Sequence, residues 1–148
     1  MPKTPAHLQA SPSFQLWQLN HHWQKELHKA LSEAGLTYTE FVVLAALFHD
    51  WQWQTSSQAR LARHSNLDKM VVSQTLASLQ KKHLVRRRTN PIDKRNLTLR
   101  LSGQGTLVAE QTTKIVEAID QRLAASLVIA DLPAKMGIAL NINLQSPT

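Results

Sequence analysis

Arg86 to Arg95 reads RRRTNPIDKR: three consecutive arginines, an Asn-Pro pair, then an aspartate closed by lysine and arginine. Asn, Pro and Asp are turn formers, each for its own steric or hydrogen-bonding reason, so residues 90–95 are expected to form a hairpin tip. The flanks agree. Leu84 to Thr89 and Asn96 to Leu101 are strand candidates, and in the second Leu97, Leu99 and Leu101 alternate with Thr98 and Arg100, burying one face.

Upstream of the hairpin the pattern turns helical. Asp68 is expected to cap a helix in which Val72, Leu76 and Leu79 recur at steps of four and three and face a core. At 100° per residue the opposite side presents Met70, Ser73, Gln74, Ala77 and Lys81, a set without a carboxylate. His83 stands where that helix must stop, and histidine tolerates the left-handed conformation better than most residues. A tight polar turn at Ser65-Asn66 separates this helix from a shorter one over about Ser56–His64, opened by a capping box of Thr55 and Gln58. Short helix, brief turn and longer helix make a helix-turn-helix, and a β-hairpin directly after it is a wing.

Further out, Thr37 and Glu40 form a capping box, with Leu36 and Phe41 placed as a hydrophobic staple. The helix they open, to about His49, is apolar nearly all round and therefore central. The Trp51–Gln54 stretch (WQWQ) is expected to be a connection. Ser11-Pro12 starts an earlier amphipathic helix carrying Leu16, Leu19, Trp23, Leu27, Ala30, Leu31 and Ala34, which Gly35 ends. Residues 1–10, with two prolines and no apolar period, are expected to be a loose arm. After the hairpin Ser102 caps a helix of roughly twenty residues with Val108, Ile115, Ile119 and Leu123 as an apolar seam. Asp131 and Pro133 start a last helix with Met136, Leu140 and Leu144. The expected fold class is mainly α with a small β-hairpin wing, on one domain from residue 11 to 148.

The charge is concentrated in the same place. The chain of 148 residues carries a net charge of +7, with eleven Lys and Arg against two Asp between residues 60 and 100 (11 − 2 = +9), while the rest has six basic and eight acidic residues (6 − 8 = −2). A basic segment between near-neutral ends is the footprint of a polyanion-binding module. The absence of cysteine excludes disulfides and thiolate metal sites. The longest apolar run, Phe41–Phe48, is too short to span a bilayer, and no secretory leader pattern opens the sequence, so a cytoplasmic protein is expected.

The order of these parts resembles the MarR/SlyA family of bacterial regulators. The match is carried by Gly35-Leu36-Thr37, Phe41 and Leu44, Leu76 and Leu79, Leu84-Val85-Arg86-Arg87, Asn90-Pro91, the tip Asp93-x-Arg95, and Leu101-Ser102-x-x-Gly105. It spans about residues 13–125. The sequence departs from the family at His83, where glycine is usual, and at Ser102, where threonine is usual. Asn141 and Asn143 interrupt the face of the last helix.

The resemblance implies a homodimer joined through residues 11–34 and 103–148, with Val108, Ile115, Ile119, Leu123, Met136 and Leu140 at the interface and residues 36–102 binding DNA. Two recognition helices would then enter successive major grooves about 34 Å apart, on a palindromic operator. Gln74 can pair with adenine, and Met70 and Ala77 can pack on thymine methyls, so an A·T-leaning site is expected. The resemblance makes Arg95 the minor-groove reader and Asp93 its orienter, and Arg86, Arg87, Arg88 and Lys94 then fit phosphate contacts. It also implies a small aromatic or anionic effector, for which Trp17, His21 and Trp23 are the candidate pocket.

Other chemistries find little support. Of the seven histidines only His22, with Glu26, has ligand spacing on one helix face, and two such residues do not close a zinc site. No metal and no cofactor are expected. There is no GxSxG, phosphate-binding glycine loop or HExxH, and no catalytic activity is expected. The remaining alternative is a winged helix used for protein contacts or sequence-neutral DNA coating.

Overall fold

Three helix ends set the path of the chain. In the computed structural model, which describes residues 5–49, 58–95 and 97–126, Gly35 (φ 71°), Asn66 (φ 54°) and His83 (φ 59°) all adopt the left-handed conformation. Each is followed by a leucine whose amide reaches back five residues. Leu36 donates to the Leu31 carbonyl, Leu67 to Ala62 and Leu84 to Leu79, each at 3.0 Å. This closure satisfies carbonyls that a helix end leaves open, and its apolar residue past the turn folds back onto the helix. Leu36 and Leu84 are accordingly buried, and Leu67 packs against the core from a half-buried position.

The elements these turns connect are α1 (Ala6–Gln9), α2 (Pro12–Glu33), α3 (Tyr38–His49), α4 (Gln58–Ser65), α5 (Lys69–Lys81), β1 (Val85–Thr89), β2 (Leu97–Leu101) and α6 (Gly103–Ser126). The expected loose arm over residues 1–10 differs, because Ala6–Gln9 form a helical turn. The first strand begins at Val85, one residue later than expected, and the second is described from Leu97. Thr55, Ser56, the WQWQ stretch, Asn96 and the whole last helix, including Met136, Leu140, Leu144, Asn141 and Asn143, lie outside the described residues.

Local chemistry explains where α3 and α5 start. Thr37 and Glu40 satisfy each other reciprocally, the Glu40 amide donating to Thr37 Oγ1 at 3.1 Å and the Thr37 amide to Glu40 Oε2 at 2.9 Å. Asp68 Oδ1 accepts from the Met70 amide at 2.7 Å. Ser11 holds the extended backbone of an N-cap with Pro12 at the first helical position, but its side chain makes no cap hydrogen bond.

The core lies between α3, α5 and the C-terminal half of α2, with α4, the hairpin and α6 closing its sides. Leu31, Val43, Leu44, Leu47, Leu61, Val72, Leu76, Leu79 and Leu99 are fully buried there. Truncating one of these leucines to alanine costs about 2–5 kcal/mol. α6 is docked by its first turn. Ser102 donates through its amide to the Leu84 carbonyl and through Oγ to the His83 carbonyl, while its Oγ accepts from the Gly105 amide. A Cβ on Gly105 would overlap the Leu84 carbonyl oxygen, so this approach needs glycine.

Much of the α6 seam is covered within the chain itself. Val108 and Ile119 pack half-buried against this chain's own core and Leu123 is buried; of the four seam residues only Ile115 is exposed, at 41%. The seam follows an amphipathic period because α6 covers α3 and α2 within the chain. Exposed apolar surface sits elsewhere, on Leu107 of α6 and on Leu16 and Trp17 of α2.

Candidate nucleic-acid interface

The helix α5 supplies the first half of the site. Its inner residues Val72, Leu76 and Leu79 are fully buried, which fixes its rotation. Met70, Gln74, Ala77 and Lys81 are exposed as expected, and Ser73 is half-buried at the edge of that face. Met70 alone is 68% exposed. This face offers an amide able to form two hydrogen bonds, small apolar groups and a cation at one end.

A buried carboxylate holds the far end of α5. Glu40, 4% exposed, accepts from Ser78 Oγ at 2.6 Å and from Lys82 Nζ at 2.7 Å, besides capping α3. Lys82 Nζ also donates to the Gly35 carbonyl at 2.6 Å. Burial pushes the Glu40 carboxyl up, but hydrogen bonds from Lys82, Ser78 and the Thr37 amide, with the Lys82 charge, outweigh it and hold it below the usual range. The last turn of α5 is thereby pinned to the α2–α3 junction. The capping box announced Glu40, but its link to residues 38 and 42 positions later has no local signature.

The hairpin supplies the second half. Its tip is built by side chains that cap backbone. Asn90 Oδ1 accepts from the Ile92 amide at 2.9 Å and the Asp93 amide at 3.4 Å, and Asp93 Oδ1 accepts from the Arg95 amide at 3.0 Å. Asp93 thus fixes Arg95 through its main chain. Ile92, 96% exposed, stands out from the tip, an apolar side chain that the sequence reading passed over.

The arginine cluster divides. Arg86 and Arg88 are exposed, whereas Arg87 is half-buried. With its amide oxygen facing the wing, Gln58 of α4 accepts two hydrogen bonds from the Arg87 guanidinium. Arg87 thus faces α4, whereas Arg86 and Arg88 face outward. Strand alternation is the reason, since it sends every second side chain inward.

Both carboxylates of residues 60–100, Asp68 and Asp93, accept from backbone amides. No ion pair among the described residues neutralises Arg86, Arg88, Lys94 or Arg95. Arg86, Arg88, Lys94 and Arg95 thus make this an exposed, strongly positive face.

Of the candidate effector residues, Trp17 and His21 lie together and Trp23 lies apart from them. Trp17 stacks on His21 at 5.5 Å between ring centroids, and on Phe14 at 5.7 Å, along an exposed side of α2. Trp23 faces the other way and donates to Asp120 Oδ1 of α6 at 2.7 Å. Nor do His22 and Glu26 act together, because Glu26 pairs with Arg122 at 2.9 Å. No group of three or more metal-ligating side chains converges among the described residues.

A helix-turn-helix followed by a basic hairpin, between two helices that pack on each other, is the arrangement found among known regulators. The MarR family profile matches residues 36–97. The HTH-type transcriptional regulator YdcH of Bacillus subtilis is 38% identical over 117 residues, 78% of this chain and 80% of that protein. The chain belongs to the MarR family. Another MarR-type relative, the transcriptional repressor Rv2887 of Mycobacterium tuberculosis, is 33% identical over 102 residues, covering 69% of this chain and 71% of its own. In structure the chain is similar to Staphylococcus aureus MepR in its DNA complex, with a TM-score of 0.77, 22% identity, and coverage of 90% of this chain and 96% of MepR. As a MarR-family member this protein is a DNA-binding transcriptional regulator with a winged-helix fold, and its relatives are regulators, not enzymes. Among the described residues no single helix is long and apolar enough to cross a membrane.

Proposed function

We propose that the protein works in the cytoplasm as a homodimeric repressor on a palindromic, A·T-leaning operator. The observation that carries this reading is one frame with two readers. The outward face of α5 and the tip at Arg95 project from adjacent elements joined at the His83 turn, where the Leu84 amide donates to the Leu79 carbonyl, and Lys82 pins the end of α5 to Glu40 of α3. On such a frame Gln74 suits the adenine edge, Met70 and Ala77 suit thymine methyls, and Arg95 suits the narrow minor groove of A·T-rich DNA. Arg86, Arg88 and Lys94 fit phosphate contacts, which give affinity and register without sequence information.

Dimerisation is supported by apolar surface on the elements away from the wing. Leu16 and Trp17 of α2 are 50% and 59% exposed, and Leu107 and Ile115 of α6 are 56% and 41% exposed. A second copy would cover them. Release by a small aromatic or anionic effector is supported by the relative Rv2887, whose structure in complex with salicylic acid has a TM-score of 0.62 and 26% identity to this chain.

Selection of duplexes from a random pool by the full-length protein tests the proposal. An inverted repeat with half-site centres about 10 base pairs apart is expected. A pool that never enriches would favour sequence-neutral coating.

A further inference from the structure

The tip of the wing carries an isoleucine where local chemistry favours something else. Turns are the place of Gly, Pro, Asn, Asp and Ser, and Ile92 buries nothing there. At 96% it is the most exposed of the large apolar side chains among the described residues, and Met70 follows at 68%. Its backbone is nevertheless held. Pro91 fixes the residue before it, and Asn90 Oδ1 accepts from the Ile92 amide at 2.9 Å. One residue on, Asp93 Oδ1 accepts from the Arg95 amide at 3.0 Å. Ile92 and Arg95 thus sit three residues apart on one braced turn, so covering the apolar side chain costs little further ordering. A residue that breaks a local rule with no gain inside its own chain points to work outside it.

The surroundings restrict what can cover it. Arg88, Lys94 and Arg95 are exposed on the same hairpin, so the occupant is a polyanion that also offers apolar surface close to its charges. The minor groove of DNA does so, because deoxyribose C–H groups line its walls between the phosphates. An anionic bilayer fits less well. An apolar face has to sink roughly 5–10 Å to reach the acyl boundary, deeper than one side chain on a turn extends.

We propose that Ile92 gauges groove width: it packs on the deoxyribose wall of the minor groove entered by the wing tip, and favours the narrow groove of A·T-rich DNA. It rests on the proposal that the wing contacts DNA, and adds a reader with neither charge nor hydrogen bond. Arg95 responds to the potential of a narrow groove. Ile92 responds to how close the walls stand, since a gap of about 0.5–1 Å forfeits a quarter to a half of a van der Waals contact.

Operator binding by the full-length protein tests this, comparing wild type, Ile92→Ala, Ile92→Leu and Arg95→Ala. Ile92→Ala should weaken binding about tenfold, and Ile92→Leu should keep most of the affinity. No cation is removed, so the slope of log K against log salt should match wild type. The melting temperature of the free protein should not move. Placing G·C pairs under the tip should cost wild type more than Ile92→Ala. Single ribonucleotides walked through the same groove each set a 2′-hydroxyl on its wall. One position per half-site should weaken wild type, and Ile92→Ala should be indifferent to it.

Wild-type affinity in Ile92→Ala, with binding still impaired in Arg95→Ala, overturns the contact and leaves the wing reading standing. If both variants bind as wild type, the wing reading itself fails. Sedimentation with phosphatidylglycerol vesicles that Ile92→Ala abolishes, beside unaltered DNA affinity, would assign the tip to a membrane surface instead. A shallower salt slope in Ile92→Ala would mean that its effect passes through the neighbouring cations, and a lower melting temperature would make the residue structural. Either result overturns the proposal, as does an equal G·C or ribonucleotide penalty in the two proteins.

Discussion

Lys82 Nζ lies 2.7 Å from Glu40 Oε2, joining the end of the helix that carries Gln74 to the first turn of the most buried helix in the fold. Removing the lysine leaves a carboxylate that is 6% exposed without its cation. Lys82→Met should cost about 1–3 kcal/mol, less than a fully buried pair because the lysine side chain is itself 38% exposed. Chemical denaturation measures it, and a cost indistinguishable from zero would show that solvent screens the pair.

The same carboxylate sets an acid limit. Its folded pKa is depressed, so the stabilisation is fully present above the unfolded value near 4.5 and disappears as pH falls through the lower folded value. Glu40→Gln should be less stable at neutral pH and show a flatter loss below about pH 4.5. Parallel acid denaturation curves for the two proteins would contradict this.

Two backbone positions make opposite predictions. His83 pays a left-handed conformation that glycine adopts freely, so His83→Gly should stabilise by about 1 kcal/mol. Gly105→Ala should destabilise by about 1–3 kcal/mol, because the methyl meets the Leu84 carbonyl. Thermal melts of both variants decide it.

Trp17 and Ile115 are the sites to probe for self-association. Trp17→Glu combined with Ile115→Glu should yield a folded monomer by sedimentation, with far-UV circular dichroism unchanged. A dimer that survives both charges would place the interface elsewhere.

Gln74→Ala should lose about 1–3 kcal/mol of discrimination at one base position of each half-site. Binding to random duplex should be unaffected, since the amide carries no charge. Uniform weakening on all sequences would give Gln74 a backbone contact instead.

How far the sequence could be read depended on the range of the interaction. Caps and turns are local, so Thr37–Glu40, Asp68, Gly35 and His83 were legible within a few residues, and the helix-turn-helix and wing followed from them. The inward face of α5 was legible because Val72, Leu76 and Leu79 share one helical period. What covers the α6 seam was less legible, for a different reason. Periodicity shows that one side is apolar, but not whether the covering surface comes from the same chain or another. Arg87 was grouped with Arg86 and Arg88 because all three carry charge; only strand alternation and the reach of Gln58 separate them.

The central claim is that Arg95, at the tip of RRRTNPIDKR, reads sequence. The most direct measurement is the ratio of operator to random-duplex affinity at one fixed salt concentration, for wild type and Arg95→Ala. The wild-type ratio should be about 10³ or more, and Arg95→Ala should lower it by about tenfold or more. A wild-type ratio near one, or an Arg95→Ala ratio equal to the wild-type value, would contradict the account.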